Sequence, residues 1–268
     1  MLGAVVGDIV GSRFEWSNIK SKDFEFLTPA CRVTDDSVMT LAVARAVLEC
    51  GDEREKLAEA AVASMRDFGR RFARGCYGGR FSRWLASENP APYGSFGNGA
   101  AMRVSACAWA AESLEDALDM ARRVTSITHD HPEGIRGAEA VTAVIWYARQ
   151  GESLERIRRL VEASWYRLNF TLDEIRGDYA FDVSCQGSVP QAVEAFLEAV
   201  DFEDAVRNAV SLGGDSDTIA AMAGSMAEAR YGVPEALRAR VMPFLAAPLR
   251  EVLERFEERF APVPGRRD

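Results

Sequence analysis

Residues 213–230 have the sequence GGDSDTIAAMAGSMAEAR, and this stretch decides which fold we expect. Its first six residues are glycine or polar. The rest is rich in alanine and methionine, without the alternation of apolar and polar residues that is typical of strands. A helix that is apolar around its whole circumference is normally buried among other helices. The stretch therefore predicts a buried central helix over 216–230.

Other parts of the chain repeat this pattern. Residues 97–112 and 133–150 are also rich in alanine and glycine with few charges, and residues 35–50 form an apolar, alanine-rich run that Gly51 ends. Sustained period-two alternation is nearly absent from the sequence. We therefore expect an all-α fold in which residues 1–268 form a single compact multi-helix domain.

The composition argues against several kinds of protein. Hydrophobic residues make up 48% of the 268, but no apolar run reaches the roughly 20 residues that cross a bilayer. The net charge of -9 argues against nucleic acid as a partner, since phosphate binding needs clustered basic residues. Five scattered cysteines without a CxxC motif indicate neither a disulfide framework nor a thiolate zinc site. The N-terminus lacks the pattern of a signal peptide, so a cytoplasmic location is expected.

Two acidic clusters lie at the starts of predicted buried helices. Thr34-Asp35-Asp36 leads into the helix over 35–50, and Asp215-Ser216-Asp217-Thr218 leads into the helix over 216–230. Adjacent carboxylates that face an apolar interior repel one another, and divalent cations relieve that repulsion. Because all the donors are oxygens, they favour Mg²⁺ or Mn²⁺, and several shared carboxylates suit a pair of ions. The alternative is that each cluster only caps its helix, since Asp, Ser and Thr are preferred N-caps.

A glycine-rich segment over 92–103, PYGSFGNGAAMR, is the third candidate. Backbone N–H groups at such a turn form a phosphate cradle, and Phe96 is available to contact a sugar or a base. Glycine-rich turns without this function are also common. His129 belongs to the His-Asp-His sequence that holds both histidines of the chain. It is a candidate for a hydrogen bond to substrate, for metal binding, or for helix capping.

Taken together, these residues resemble the ADP-ribosylglycohydrolase family from Gly3 to about Tyr231. Each motif is short, but the ordered set is specific. The motifs, in family order, are Gly7-Asp8-x-x-Gly11 with Glu15, Thr34-Asp35-Asp36, Gly97-Asn98-Gly99-Ala100-x-Met102-Arg103, Thr128-His129 and Gly214-Asp215-x-Asp217-Thr218.

The resemblance implies an all-α fold around a central binuclear Mg²⁺ or Mn²⁺ site. By position, it implies the metal ligands Thr34, Asp35, Asp36, Asp215, Asp217 and Thr218. It also implies a segment that holds the diphosphate and the neighbouring ribose, which is Ser95, Phe96, Gly97 and Asn98, with His129 near the same ligand. Glu15 matches an acidic residue that acts in catalysis from a mobile loop in some members, and Asp36 is assigned a catalytic role as well as a ligand role.

The resemblance further implies cleavage of the glycosidic bond between ADP-ribose and its acceptor. The substrate would be an ADP-ribosylated protein, through an arginine or serine side chain, or a related small molecule. Such cleavage passes through an oxocarbenium-like state, with Glu15 assisting as acid, base or positioner. Two alternatives use the same residues: a two-metal nucleotide phosphohydrolase and a non-catalytic ADP-ribose-binding protein. The complete set of metal-suited side chains favours an active hydrolase, while the acceptor, the target and the oligomeric state stay open.

Overall fold

The computed structural model describes residues 1–72 and 75–260. Within these residues there are fourteen α-helices and no strand, which confirms the all-α fold. The helices are α1 (Leu2–Gly11), α2 (Asp35–Cys50), α3 (Leu57–Arg71), α4 (Gly79–Ala86), α5 (Ser105–Ala110), α6 (Leu114–Ser126), α7 (Pro132–Arg149), α8 (Leu154–Ser164), α9 (Leu172–Arg176), α10 (Cys185–Leu197), α11 (Phe202–Ser211), α12 (Ser216–Tyr231), α13 (Glu235–Val241) and α14 (Ala247–Phe260). Short 3-10 helices cover Arg54–Lys56, Asn98–Ala100 and Met242–Phe244. None of the described helices combines the length and apolar character needed to span a membrane.

The helix predicted over 216–230 is present as α12. Every residue of α12 from Ser216 to Ala227 is buried. The helix packs against α1, α2, α7, α10 and α11, so its apolar circumference is covered by other helices. The prediction of a buried central helix is confirmed.

Helix α1 is buried along its whole length and crosses α12 at very short range. A Cβ atom at Gly7 would lie 2.0 Å from the carbonyl oxygen of Ala220. Only glycine allows two helix backbones to approach so closely, because any other residue would place a side-chain atom in this space. The crossing brings Asp8 of α1 beside Asp217 of α12.

Helix α2 begins at Asp35, as expected, and ends where Gly51 adopts a φ of 56°. Its first turn meets the first turn of α12. The Thr218 hydroxyl donates a hydrogen bond to Oδ2 of Asp36 at 3.2 Å. Two helix starts that are far apart in sequence therefore share one place in the fold.

The continuous helix expected over 97–112 is wrong. This stretch contains the 3-10 helix Asn98–Ala100, a turn, and then the short α5. The Asn98 N–H donates to the carbonyl oxygen of Val183 at 2.7 Å, so the segment pairs with a distant part of the chain at this point. Glycines at 97 and 99 also lower the propensity for helix.

Candidate active site

A cleft of about 420 Å³ opens where the N-terminal ends of α2 and α12 meet. This volume is within the range of small-molecule binding sites. Carboxylates form one wall and the glycine-rich segment forms the other. Most of the candidate residues line it: Glu15, Asp35, Asp36, Ser95, Gly97, Asn98, His129, Asp215, Asp217 and Thr218.

One carboxylate triad consists of Asp8, Asp36 and Asp217. Each contributes an oxygen, and these oxygens all lie within 4.8 Å of one another. All three residues are buried. Because they come from α1, α2 and α12, the triad exists only when these three helices are packed together.

A second triad consists of Glu15, Asp215 and Asp217, again with one oxygen from each within 4.8 Å of the others. Asp217 therefore belongs to both triads. Burial raises the pKa of Glu15, and the charge of Asp215 raises it further. The carboxyl group of Glu15 thus retains its proton to a higher pH than a free glutamate.

Neither acidic helix start behaves as an ordinary cap. The N-cap residues are Thr34 for α2 and Asp215 for α12, and neither side chain makes a capping hydrogen bond. By contrast, the side chains of Ser113 and Asp201 cap α6 and α11 in the usual way. Among the described residues, neither cluster thus supplies a side-chain cap, although Asp35, Asp36 and Asp217 lie in first turns, where a negative charge suits the helix dipole.

Asp8 holds the start of α2 in place through hydrogen bonds. Its carboxylate accepts hydrogen bonds from the backbone N–H groups of Thr34 and Ser37, at 3.1 and 3.2 Å. The hydroxyl groups of the same two residues also donate to it, with the Thr34 bond at 2.5 Å. Thr34 consequently directs its hydroxyl toward Asp8, and its side chain is not among those that line the cleft.

The aspartates of the site repel one another. Burial, followed by the charge of Asp217, raises the pKa of Asp36 well above its usual range. Burial, followed by the charge of Asp215, does the same for Asp217. Burial raises the pKa of Asp35 to about 8, with the charge of Asp8 as the next cause. A cation among these groups would lower all of these pKa values, since it stabilises the charged forms.

The donor set fits a hard divalent cation. Oδ1 of Asp36 is buried and has no hydrogen-bond partner among the residues that the structure describes. Such an atom is costly in a protein interior unless something compensates it. Both triads consist of carboxylates alone, without cysteine or histidine, in the part of the chain that the structure describes. Oxygen-only donors suit Mg²⁺ or Mn²⁺ better than zinc.

Asn98 ties the glycine-rich wall to the acidic wall. Its Nδ2 donates to Oδ2 of Asp215 at 2.7 Å. Burial raises the pKa of Asp215, and this hydrogen bond works against that rise. Beside it, the Gly97 N–H donates to the hydroxyl of Ser95 at 3.2 Å. The wall therefore presents polar groups whose positions are fixed by local hydrogen bonds.

His129 lies between the glycine-rich wall and a buried arginine. Its Nδ1 is 2.7 Å from the hydroxyl of Thr128 and 3.5 Å from Nη2 of Arg103. Burial and the charge of Arg103 lower the pKa of His129 well below its usual range, so the ring is neutral at pH 7. The histidine lies in neither carboxylate triad of the described residues, so the metal-binding alternative gains no support.

Two exposed aromatic residues complete the edge of the cleft. Trp16, which follows Glu15, stacks on Phe181 with 5.2 Å between ring centroids and 22° between planes. They are 75% and 44% exposed, which is unusual for large apolar side chains in contact. Both line the cleft, and both were missed by the sequence analysis.

The whole sequence matches one known family. The ADP-ribosylglycohydrolase family model covers residues 1–268. The chain belongs to the ADP-ribosylglycohydrolase family. It is therefore a hydrolase that acts on glycosyl bonds.

Named relatives of this ADP-ribosylglycohydrolase agree with that assignment. ADP-ribosylhydrolase ARH3 of Homo sapiens is 26% identical over 313 residues, with 88% of this chain and 85% of the relative covered. ADP-ribosyl-dinitrogen reductase glycohydrolase of Rhodospirillum rubrum is 26% identical over 260 residues, with coverage of 87% and 85%. A solved structure, named ADP-ribosylglycohydrolase-related protein complex, superposes with a TM-score of 0.71 at 25% identity and covers 95% of this chain and 93% of that one. These relatives support ADP-ribosylglycohydrolase activity.

Two candidate residues of this ADP-ribosylglycohydrolase lie outside the cleft lining. Thr34 is one, for the reason given above. The other is Phe96, which is 44% exposed and meets His131 edge-on, with 5.2 Å between ring centroids. Conversely, Asp8 joins a triad, although the sequence analysis named it only as part of the Gly7-Asp8 motif and not as a metal ligand. Its position depends on how closely α1 crosses α12, which local sequence does not determine.

Proposed function

We propose that this protein releases ADP-ribose from an ADP-ribosylated protein or small molecule, with two divalent cations as cofactors. The observation that carries the proposal is the pair of carboxylate triads that share Asp217 and face the glycine-rich wall. One wall suits cations, and the other suits a phosphate-containing ligand. A single cleft thus has one wall for the cations and another for the phosphate-containing ligand.

The proposed cation ligands that line the cleft are Asp35, Asp36, Asp215, Asp217 and Thr218. Thr34 would join them through its hydroxyl group, which lies 3.3 Å from Oδ2 of Asp36. Asp8, the third member of the first triad, would place its negative charge beside the cations, and it also fixes the start of α2 through Thr34 and Ser37. The unpartnered oxygen of Asp36 is the strongest single argument for a cation at this place. When bound, Mg²⁺ or Mn²⁺ ions supply Lewis-acid stabilisation and lower the pKa of water.

The opposite wall is proposed to bind the ADP-ribosyl group. Ser95, Gly97 and Asn98 would contact the diphosphate and the neighbouring ribose, since they line the cleft opposite the carboxylates. The neutral ring of His129 is suited to a hydrogen bond with the same ligand. Phe96, exposed beside the cleft, would contact the sugar or base from the edge.

Glu15 is proposed to transfer a proton during cleavage. It lines the cleft within the second triad, and its raised pKa lets it exchange a proton nearer to neutral pH. Asp36 would contribute to catalysis by holding a cation through its buried Oδ1 atom. The acceptor would leave past Trp16 and Phe181, because these two side chains line the cleft together with Glu15.

We also propose that residues 1–268 form one domain. Helix α1 packs on α12, and α14, the last described helix, packs on α2. The early and late parts of the chain therefore contribute to the same core, which is expected of a single folding unit.

Product analysis tests the proposed activity. The protein would be incubated with Mg²⁺ or Mn²⁺ and a protein substrate that carries labelled ADP-ribose, and the products would be separated. Free ADP-ribose supports the proposal. Release of phosphate or AMP would favour the phosphohydrolase, and tight binding of intact substrate would favour the non-catalytic binder.

Two additions sharpen this experiment. A chelator should stop release, and either cation should restore it, because the carboxylates would otherwise lack their counter-ions. Parallel substrates linked through arginine and through serine would identify the acceptor. Release that is unaffected by the chelator would contradict the cation requirement while leaving the glycosyl hydrolase in place.

A further inference from the structure

The loop between α1 and α2 carries Glu15, and Asn18 in this loop fastens it to the turn before α12. We propose that Asn18 is a positioning residue that holds the Glu15 segment against the turn over 213–215. This inference rests on the proposed function, because it assigns Asn18 to the proton transfer in which Glu15 would take part. Asn18 is not among the residues that line the cleft, so it would act through its neighbours.

The amide group of Asn18 bonds two segments at once. On its own loop, Nδ2 lies 2.6 Å from the carbonyl oxygen of Phe14 and 3.1 Å from that of Glu15. On the other segment, Nδ2 donates to the Gly214 carbonyl at 3.0 Å, and the Gly214 N–H donates back to Oδ1 at 2.8 Å. One side chain therefore connects the backbone of Glu15 to the residue directly before Asp215.

The turn is shaped to receive this side chain. Gly213 and Gly214 have φ values of 70° and 69°, which favour glycine at both positions. A Cβ atom at Gly213 would lie 3.1 Å from Oδ1 of Asn18, and one at Gly214 would lie 2.7 Å from the ring of Tyr179. A side chain at either position would crowd the contact, so the two glycines bring the turn within reach of Asn18.

Lys20 adds a second tie from the same loop. Its Nζ donates to the carbonyl oxygens of Tyr179 and Leu212, the first at 2.6 Å. Lys20 thus joins the loop to Tyr179 and to Leu212, the residue just before the turn over 213–215. Of these two ties, Asn18 is the one that bonds the backbone of Glu15 itself, and this singles it out as the positioning residue.

The position of Asn18 separates its effect on catalysis from any effect on stability. The residue is exposed, and its amide contacts backbone groups rather than the apolar core. Its truncation would leave no buried cavity, so the fold should survive. Displacement of a reacting group by about 1 Å, in contrast, is enough to lower a rate strongly.

A cycle of four proteins tests the inference: wild type, Asn18→Ala, Glu15→Gln and the double variant. We expect Asn18→Ala to lower kcat for ADP-ribose release by about tenfold or more, with KM changed less than about twofold. In the Glu15→Gln background, Asn18→Ala should cause no further loss, because there is no longer a proton-transferring group to position. A merely structural role would not produce this dependence on Glu15.

Asn208→Ala, at a buried position, is the control. It removes an amide hydrogen bond of 3.1 Å to the carbonyl oxygen of Ala195, between α11 and α10 and outside the cleft. Its kcat should equal that of wild type at a temperature at which both are folded. A wild-type kcat in Asn18→Ala would overturn the inference, and so would an equal loss of kcat in both Glu15 backgrounds.

Hydrogen exchange provides a readout without turnover. In Asn18→Ala, peptides over 12–20 and 212–218 should exchange faster, while the rest of the chain is unchanged. Unchanged exchange in these peptides would refute the contact as a tie. If wild type releases no ADP-ribose, the proposed function fails by itself, and the exchange result still decides whether Asn18 holds the two segments together.

Discussion

The side-chain amide of Asn98 donates a 2.7 Å hydrogen bond to Oδ2 of Asp215, and this bond joins the two walls of the cleft. The two residues are 117 positions apart in sequence. One is a candidate ligand-binding residue, and the other is a candidate metal-binding residue. Binding of a ligand on one wall and of a cation on the other should therefore depend on each other.

Replacement of Asn98 tests this dependence. Asn98→Ala removes the bond that works against the rise in the pKa of Asp215, so this pKa should rise further and protons should compete more strongly with a cation. Because metal ligands must be deprotonated, we expect weaker Mn²⁺ binding by calorimetry as well as a smaller rise of Tm with ADP-ribose. Asn169→Ala, at an exposed position, is the control. Loss of the ADP-ribose effect with unchanged Mn²⁺ affinity would show that the two walls act independently.

Asp217 is the residue that both triads share, and its replacement should separate metal binding from stability. Asp217→Asn removes one charge from both groups, so Mg²⁺ or Mn²⁺ binding and turnover should be nearly lost. Without metal, the same change relieves repulsion between buried carboxylates, so the Tm should stay the same or rise. Calorimetry and thermal unfolding in a chelator measure the two effects. A variant that binds metal as wild type does would contradict the proposed centre.

Some of these features were predictable from sequence, and others depend on packing. The start of α2 at Asp35 and the burial of α12 follow from local patterns, and both are confirmed. The glycines at 97 and 99 gave a local signal for the helix break near Asn98, whereas the hydrogen bond from Asn98 to Val183 depends on packing that local sequence does not determine. The stacking of Trp16 on Phe181 also joins two loops that no periodic pattern connects.

The pH dependence of the metal-free protein follows from its raised pKa values. The pKa of an unfolded aspartate is about 3.9, whereas burial raises the pKa of Asp35 to about 8 in the fold. Between these values the folded state holds a proton that the unfolded state has lost, so stability falls as the pH rises through this window. Burial shifts the pKa values of Asp36 and Asp217 in the same direction.

We therefore expect the Tm in a chelator to be lower at pH 8 than near pH 5. Saturating Mg²⁺ should remove much of the difference, because a bound cation stabilises the ionised carboxylates. Thermal unfolding at a series of pH values measures both effects. A Tm that rises from pH 5 to pH 8 in the chelator would show that the carboxylates are not buried together as the structure has them.

The close crossing of α1 and α12 predicts a strong effect at Gly7. A Cβ atom there would lie 2.0 Å from the carbonyl oxygen of Ala220, so Gly7→Ala must push the helices apart. We expect the free energy of unfolding to fall by about 2 kcal/mol or more, measured by denaturant titration. Gly177→Ala is the control, because no heavy atom of the described residues lies within 4 Å of its Cβ position and its φ is -63°. It should change stability by less than about 1 kcal/mol, and an equal loss in both variants would contradict the crossing.

Glu15 is the residue on which the proposed proton transfer depends. Within residues 1–72 and 75–260, the cationic group that pairs with Glu15 is Arg32 at 4.0 Å, a half-exposed side chain whose contact is too long to account for the position of the carboxylate. Glu15→Gln keeps the size of the side chain and its capacity for hydrogen bonds but removes the exchangeable proton. We expect the turnover rate to fall by about two orders of magnitude or more. The affinity for ADP-ribose should change little, because the glycine-rich wall is untouched. The Tm should be unchanged or higher, since a partly buried carboxyl near Asp215 is no longer ionised.

Glu25→Gln, at an exposed position in the same loop, is the control and should keep the wild-type rate. If Glu15→Gln also kept that rate, Glu15 would have no part in proton transfer, and the aspartates around Asp217 would be the carboxylates left to perform it.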